Sequence, residues 1–266
     1  GAVLGSAFLP TFTGYLTRGN RREGWVLASS VLNAVALGTL ALSVLAWILA
    51  PQLWPLIVPG FATTQETTLG VQLTRIMLLS PIFFGMSGIV TGILNGQKHF
   101  LAPALAPLTF NLSIIGGAWL LGPTQGTTGL AVGVVGGALL HLLVQVLALR
   151  RGGMEYHAKI AVGHPGVREV GRLMLPRAVS LGAVQANFLV VTMLASQLPH
   201  GSLAALDYAY QVMMMPLGIF GMAISTAVFP TLAEEASLDR LEKMKGILLS
   251  SLRLILFLTV PASLGL

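Results

Sequence analysis

Residues 25–49, WVLASSVLNAVALGTLALSVLAWIL, run on without one charged side chain. A helix crosses the hydrocarbon of a bilayer with about 20 mostly apolar residues. Hydrocarbon offers no water to backbone N–H and C=O groups, so a spanning segment must satisfy them internally. The run therefore reads as a transmembrane helix, with Trp25 and Trp47 as interfacial anchors near its ends. Comparable runs recur along the chain. Residues 1–17 read as the last part of a helix, and 69–95 spans with Pro81 inside. Residues 104–121 and 129–149 form a pair joined by the polar turn GPTQGTT. Residues 173–197 and 203–232 are joined by the LPHGS turn, and a last span begins near 247. Between them, 51–66 carries Pro51, Pro55, Pro59, Trp54 and Phe61, which suits an irregular segment at the outer interface. Residues 234–245 read as a polar helix or loop. The expected fold class is an all-α polytopic membrane protein of about eight transmembrane helices.

Charge confirms the class and orients it. Only 9% of the 266 residues are charged, against 55% hydrophobic, whereas a soluble domain carries about 25% charge. The basic residues collect in alternate loops. Loop 16–24 holds Arg18, Arg21 and Arg22; 96–100 holds Lys98; 150–172 holds Arg150, Arg151, Lys159, Arg168 and Arg172; 233–246 holds Arg240, Lys243 and Lys245. Loops 50–68, 122–128 and 198–202 have no Lys or Arg. The positive-inside rule puts the basic loops in the cytoplasm. The net charge of +6 does not imply nucleic acid, because the cations form no stripe with aromatics. Their expected partner is the anionic inner leaflet or the insertion machinery. The chain holds no Cys, which excludes disulfides and thiolate chemistry. Both ends fall inside apolar runs, so a segment of a longer protein is expected.

Candidate functional residues are those whose burial in lipid is expensive. Arg75, Arg177, Asp207 and Arg253 fall inside or at the edge of spans. A long cation near a span end can snorkel to the headgroups. Arg177 follows Pro176, which removes a backbone hydrogen bond and favours a polar-lined opening. Asn33, Asn95, Asn111, Gln145, Gln185, Asn187 and Gln211 are neutral polar residues in or at spans. Each could simply bond between helices; as a set they could hold a sugar or amide-rich head group. Gly116-Gly117 and Gly133-V-V-G-Gly137 permit close helix contacts. Met213–Met215 beside Pro216 reads as soft packing at a kink. The five His are scattered, and no carboxylate pair, H-E-x-x-H or Ser/His/Asp set appears. An enzyme is not expected, and neither is a metal site.

A weak repeat adds organisation. AFLPTF at 7–12 returns as AVFPTL at 227–232, and Ser29/Ser30 has a counterpart in Ser250/Ser251. Both copies end on the same side, which implies parallel repeats about an axis along the membrane normal.

Four stretches then carry a resemblance: ILNGQKHFLAPALAPLTFN (93–111), HLLVQVLALRRG (141–152), LMLPRA (173–178) and PLGIFGMAISTAVFPTL (216–232). Together, and in order, they resemble the MurJ/MviN family of lipid II flippases. The resemblance implies part of a fourteen-helix, two-lobe exporter fold, covering about the second to ninth helices. On that reading 1–150 belongs to the N-terminal lobe, 151–172 is a cytoplasmic linker, and 173–266 belongs to the C-terminal lobe. It implies transport of undecaprenyl-pyrophosphate-linked peptidoglycan precursor from the inner to the outer leaflet by alternating access. Membrane potential or an ion gradient would drive it, with no cofactor. The implied setting is the bacterial inner membrane, with cell-wall synthesis proteins as further partners. The substrate-binding set it leaves is Arg177, Gln211, Asn187, Gln185, Asn111, Asn95 and Arg75. The family's Y-A-x-R pattern reads Tyr208-Ala209-Tyr210-Gln211 here, with Met214 where an acidic residue or Gln usually stands. Gln for Arg keeps one alternative open, an exporter of another lipid-linked glycan or amphipathic cation; the charged 150–172 segment keeps another, a scaffold in which that segment binds a cell-wall synthesis partner.

Overall fold

The computed structural model describes residues 2–61, 63–151, 153–161, 163–237 and 240–265. Gly152 and Val162 of the expected linker, and Leu238 and Asp239 of loop 233–246, lie outside the described residues. No strand occurs among the described residues, and seven helical segments are long and apolar enough to cross a membrane. The chain is a multi-pass membrane protein. Its contacts group into two compact units, 1–193 and 194–266.

In the first unit, α1 (Ala2–Thr17), α2 (Arg21–Ile57) and α7 (Thr127–Arg151) surround α4 (Ser80–Gly96), with α3 (Thr64–Met77) against α2 and α7 and α5 (Leu101–Gly116) on α7. The core sits toward the basic end of this bundle. There Phe8, Phe12, Trp25, Leu27, Ile89, Ile93, Leu94 and Leu149 are all fully buried, with Val170 from α8 (Pro165–Ser196). Trp25 is thus a core residue packed edge-on to Phe12, not the interfacial anchor its position suggested. The reason is local: Gly19 takes φ 77° and turns α1 into α2, folding Trp25 back under the α1 aromatics.

Four prolines behave differently from expectation. Helix α2 continues through Pro51 and Pro55 to Ile57, so the irregular segment shrinks to the turn before α3. Pro51 has no N–H, which leaves the Trp47 carbonyl without its helical donor; Arg75 Nε supplies one from α3 at 3.2 Å. The 69–95 span breaks at Leu78–Leu79, with Pro81 in the first turn of α4. In α8 the backbone remains helical through Pro176, so no irregular opening forms beside Arg177. Helix α8 also starts at Pro165, inside the stretch expected as a linker.

Close approach between α5 and α7 follows from glycine. A Cβ on Gly117 would lie 2.6 Å from the Gly133 Cα, and one on Gly137 would lie 2.9 Å from the Phe110 carbonyl oxygen. Ser113 Oγ, between them, donates to the Gly133 carbonyl at 2.9 Å. Beyond α5 the chain forms one π-helical stretch, Gly117–Leu121, then the short α6 (Gly122–Gln125), before Gly126 (φ 57°) turns it into α7.

The second unit contains α9 (Ser202–Pro216), a π-helical stretch at Leu217–Met222 directly after Pro216, α10 (Ala223–Ser237) and α11 (Leu241–Gly265). Glu235 near the end of α10 is buried and receives Lys243 Nζ at 2.5 Å, with Arg240 Nη1 at 3.8 Å. This pairing closes the α10–α11 turn.

Candidate functional site

Three polar constellations are built into the first unit. The deepest joins α4 to α7. Ser87 and Thr91 are four residues apart on α4, as are His141 and Gln145 on α7, so each pair lies on one face. The faces meet. Gln145 Nε2 donates to Ser87 Oγ at 2.8 Å, Ser87 Oγ contacts His141 Nδ1 at 2.7 Å, and Thr91 Oγ1 donates to Gln145 Oε1 at 2.7 Å. Gln145 Nε2, which can only donate, also lies 3.3 Å from Nδ1, so Nδ1 is the accepting nitrogen; Ser87 Oγ then donates to it and the ring proton sits on Nε2. The edge of Phe84 packs on the same ring. Ser87 and Gln145 are buried. A satisfied network of this kind fixes helix register in a low-dielectric interior. Among the described residues, no three His, Cys, Asp or Glu side chains gather as metal ligands.

The second constellation straps the α7–α8 connection to α2. Ser29 Oγ accepts from His157 N at 3.0 Å, and Ser30 Oγ accepts from Ala161 N at 3.1 Å. Asn33 Nδ2 donates to the His157 carbonyl at 3.1 Å, and its Oδ1 accepts from Tyr156 Oη at 2.7 Å. One ridge of α2 thus satisfies the backbone of an extended segment. Further along, His164 Nδ1 accepts from Gly166 N at 3.1 Å, which turns Nε2–H toward Glu23 Oε2 at 3.0 Å. The ring of Tyr15 lies beside His164.

The third is a groove of about 610 Å³ between α2 and α3, lined by Trp47, Thr67, Gln72 and Arg75 among others. The Arg75 guanidinium lies over the Trp47 ring, 4.4 Å from its centroid.

The sequence-derived set does not converge on one of these. Arg75 lines the groove. Asn95 is half-buried near the end of α4, and Asn111 is exposed on α5. Arg177, Gln185 and Asn187 lie on α8, where Leu175–Val191 is exposed on every face. At about 100° per residue, Gln185 and Asn187 sit about 80° to either side of Arg177, so they share a broad sector and no single line. Gln211 is exposed on α9 in the second unit. Sequence reasoning missed Ser87, Thr91 and His141 as partners of Gln145, and Tyr156 as a partner of Asn33. The paired four-residue spacing was the available signal for the first group. For Tyr156 there was none.

A family model described as lipid II flippase MurJ matches residues 1–266. The chain is similar to the probable lipid II flippase MurJ of Rhizobium tropici, at 30% identity over 273 residues, covering 99% of this chain and 51% of that protein. It is 27% identical over 281 residues to the lipid II flippase MurJ of Burkholderia cenocepacia, covering 98% of this chain and 52% of the other. A solved structure titled lipid II flippase MurJ, inward closed conformation, superposes with a TM-score of 0.78 at 25% identity, covering 99% of this chain and 54% of that one. The chain thus spans about half the length of the curated relatives it matches.

Proposed function

Because the chain belongs to the lipid II flippase MurJ family, we propose that it serves in moving undecaprenyl-pyrophosphate-linked peptidoglycan precursor from the inner to the outer leaflet of the bacterial plasma membrane. The observation that carries this reading is the family match over all of residues 1–266. Physics states the need. A pyrophosphate cannot enter hydrocarbon unshielded, so a transporter must offer it cations and hydrogen-bond donors in a protected cavity. The Arg177, Gln185 and Asn187 side chains of α8 are the donors this chain offers from one exposed helical stretch. Asn95, Asn111 and Gln211 complete the proposed polar set.

Transport by alternating access needs two bodies. An N-terminal lobe through 150, the segment 151–172 and a C-terminal lobe from 173 would supply them, consistent with the AFLPTF and AVFPTL repeat. The basic ends of the helices would face the cytoplasm. Membrane potential or an ion gradient would supply the work.

Complementation tests this reading. The native gene product carrying this chain should support growth of a flippase-depleted bacterium; normal membrane expression without rescue overturns it. Gln211 favours a second reading, export of a different lipid-linked glycan or an amphipathic cation, because a neutral amide replaces a cation there. Lipid II binding by neither the native protein nor Gln211→Arg would select it.

A further inference from the structure

The groove between α2 and α3 has a charge with more capacity than its structural role uses. Arg75 Nε repairs the carbonyl that Pro51 orphans, at Trp47. That consumes one of the five N–H donors of a guanidinium. Among the described residues, no carboxylate pairs with Arg75, and its two terminal nitrogens have no hydrogen-bond partner. Glu66 begins the same helix nine residues earlier and is tied to Thr63 in a capping box, about 13 Å away along the axis. Stacking on Trp47 fixes the plane of the fork. Loops 50–68 and 122–128 contain no other Lys or Arg, so at this end of the first unit the fork has no cationic competitor.

The rest of the groove is amphipathic. Thr67 and Gln72 line it beside Arg75, while Val71, Ile76 and Leu79 give it an apolar wall. Around it Ile48, Leu69 and Leu79 are exposed, as on a surface that meets acyl chains. Trp47, over whose ring Arg75 lies, is also of a residue type enriched at headgroup depth.

We propose that this groove binds one phospholipid of the surrounding leaflet, its phosphate held by the two terminal nitrogens of Arg75 and an acyl chain laid against Val71, Ile76 and Leu79. Guanidinium and phosphate match as a planar two-bond fork. Arg75 belongs to the substrate set that the family resemblance implies and is assigned here to a lipid instead; the site lies apart from the α8 residues proposed for the transported substrate, and it stands whether or not that reading does. Its effect is to pin the α2–α3 corner to headgroup depth.

Native mass spectrometry of the delipidated full-length protein reads this directly. Phosphatidylglycerol should bind one high-affinity site about fivefold more tightly than a diacylglycerol with the same chains, the worth of one cation near a headgroup. Arg75→Gln should remove the preference. Gln72→Trp, which fills the groove and leaves Arg75 on Trp47, should remove it too, and covers the case in which Arg75→Gln unfolds the corner. Inorganic phosphate at millimolar concentration should not compete. Equal binding of the two lipids by the native protein overturns the proposal. An undiminished preference in Gln72→Trp does so too. Displacement by inorganic phosphate also overturns it, since the site would then belong to a soluble anion.

Discussion

Gln145 shows how one side chain can hold two membrane helices in register. Its amide donates to Ser87 and accepts from Thr91, so both ends of the group are satisfied inside the protein. Substitution by Leu removes both bonds, taking its acceptor from half-buried Thr91 and its donor from buried Ser87. An unsatisfied buried group costs about 1–3 kcal/mol, while hydrogen bonds between membrane helices average only about 0.6 kcal/mol. Gln145→Leu is therefore expected to destabilise by about 1–2 kcal/mol, read as a lowered Tm in detergent. Replacing Ser87, Thr91, His141 and Gln145 together by Ala, Val, Phe and Leu should recover most of that loss, because no member of the network is then stranded. A quadruple variant as unstable as the single one would mean packing, not satisfaction, sets the cost. The sequence contains Gln145 openly, but a lone Gln in an apolar run has no visible partner. His141 looked scattered for the same reason, since helix facing decides which residues meet.

At the scale of elements, glycine and serine set what can touch. Gly117 and Gly133 bring α5 and α7 together so closely that a side chain at either meets backbone. Gly116, one residue away, faces open space. Gly133→Leu should separate the pair and lower folded yield in membranes, whereas Gly116→Leu should leave yield unchanged; equal effects would contradict the packing. The strap on α2 gives a second test. Trypsin should cut after Lys159 slowly while Ser29, Ser30 and Asn33 hold its neighbours. In Ser29→Ala/Ser30→Ala/Asn33→Leu the backbone of 156–161 loses its partners, and cleavage there should accelerate by about tenfold, as an opening cost of more than 1 kcal/mol implies. Unchanged cleavage would show that other contacts hold the segment. Helix existence was legible from apolar runs, because length and composition alone decide it. Helix ends at prolines were not. Pro51 reads as a breaker until Arg75, far away in sequence, replaces the missing donor.

At the scale of the molecule, the basic residues of the first unit gather at one end. Phe12 near the end of α1 packs against Gly96 near the end of α4, Trp25 opens α2 in the same core, and Glu23 meets His164 at the start of α8. Those contacts bring the loops holding Arg18, Arg21, Arg22, Lys98, Arg150 and Arg151 to a common face. The class of fold and this charge segregation were readable in sequence, since both depend on composition along the chain. Which polar side chains of the spans find partners among the described residues, as Gln145 does and Asn111 does not, was not, since it depends on how helices turn toward one another. Orientation bears on the proposed transport, because a precursor made in the cytoplasm would have to load from the basic end. The absence of cysteine makes the orientation directly measurable. Gln125 ends α6 just before α7 and Glu155 lies in the connection after α7, both exposed. A membrane-impermeant maleimide should label Gln125→Cys in intact spheroplasts. It should reach Glu155→Cys only after the membrane is opened. The reverse pattern would invert the chain, turn the basic face outward and leave Arg75 at cytoplasmic headgroup depth. A flippase that loads from the cytoplasm through the basic end could not be built on that arrangement.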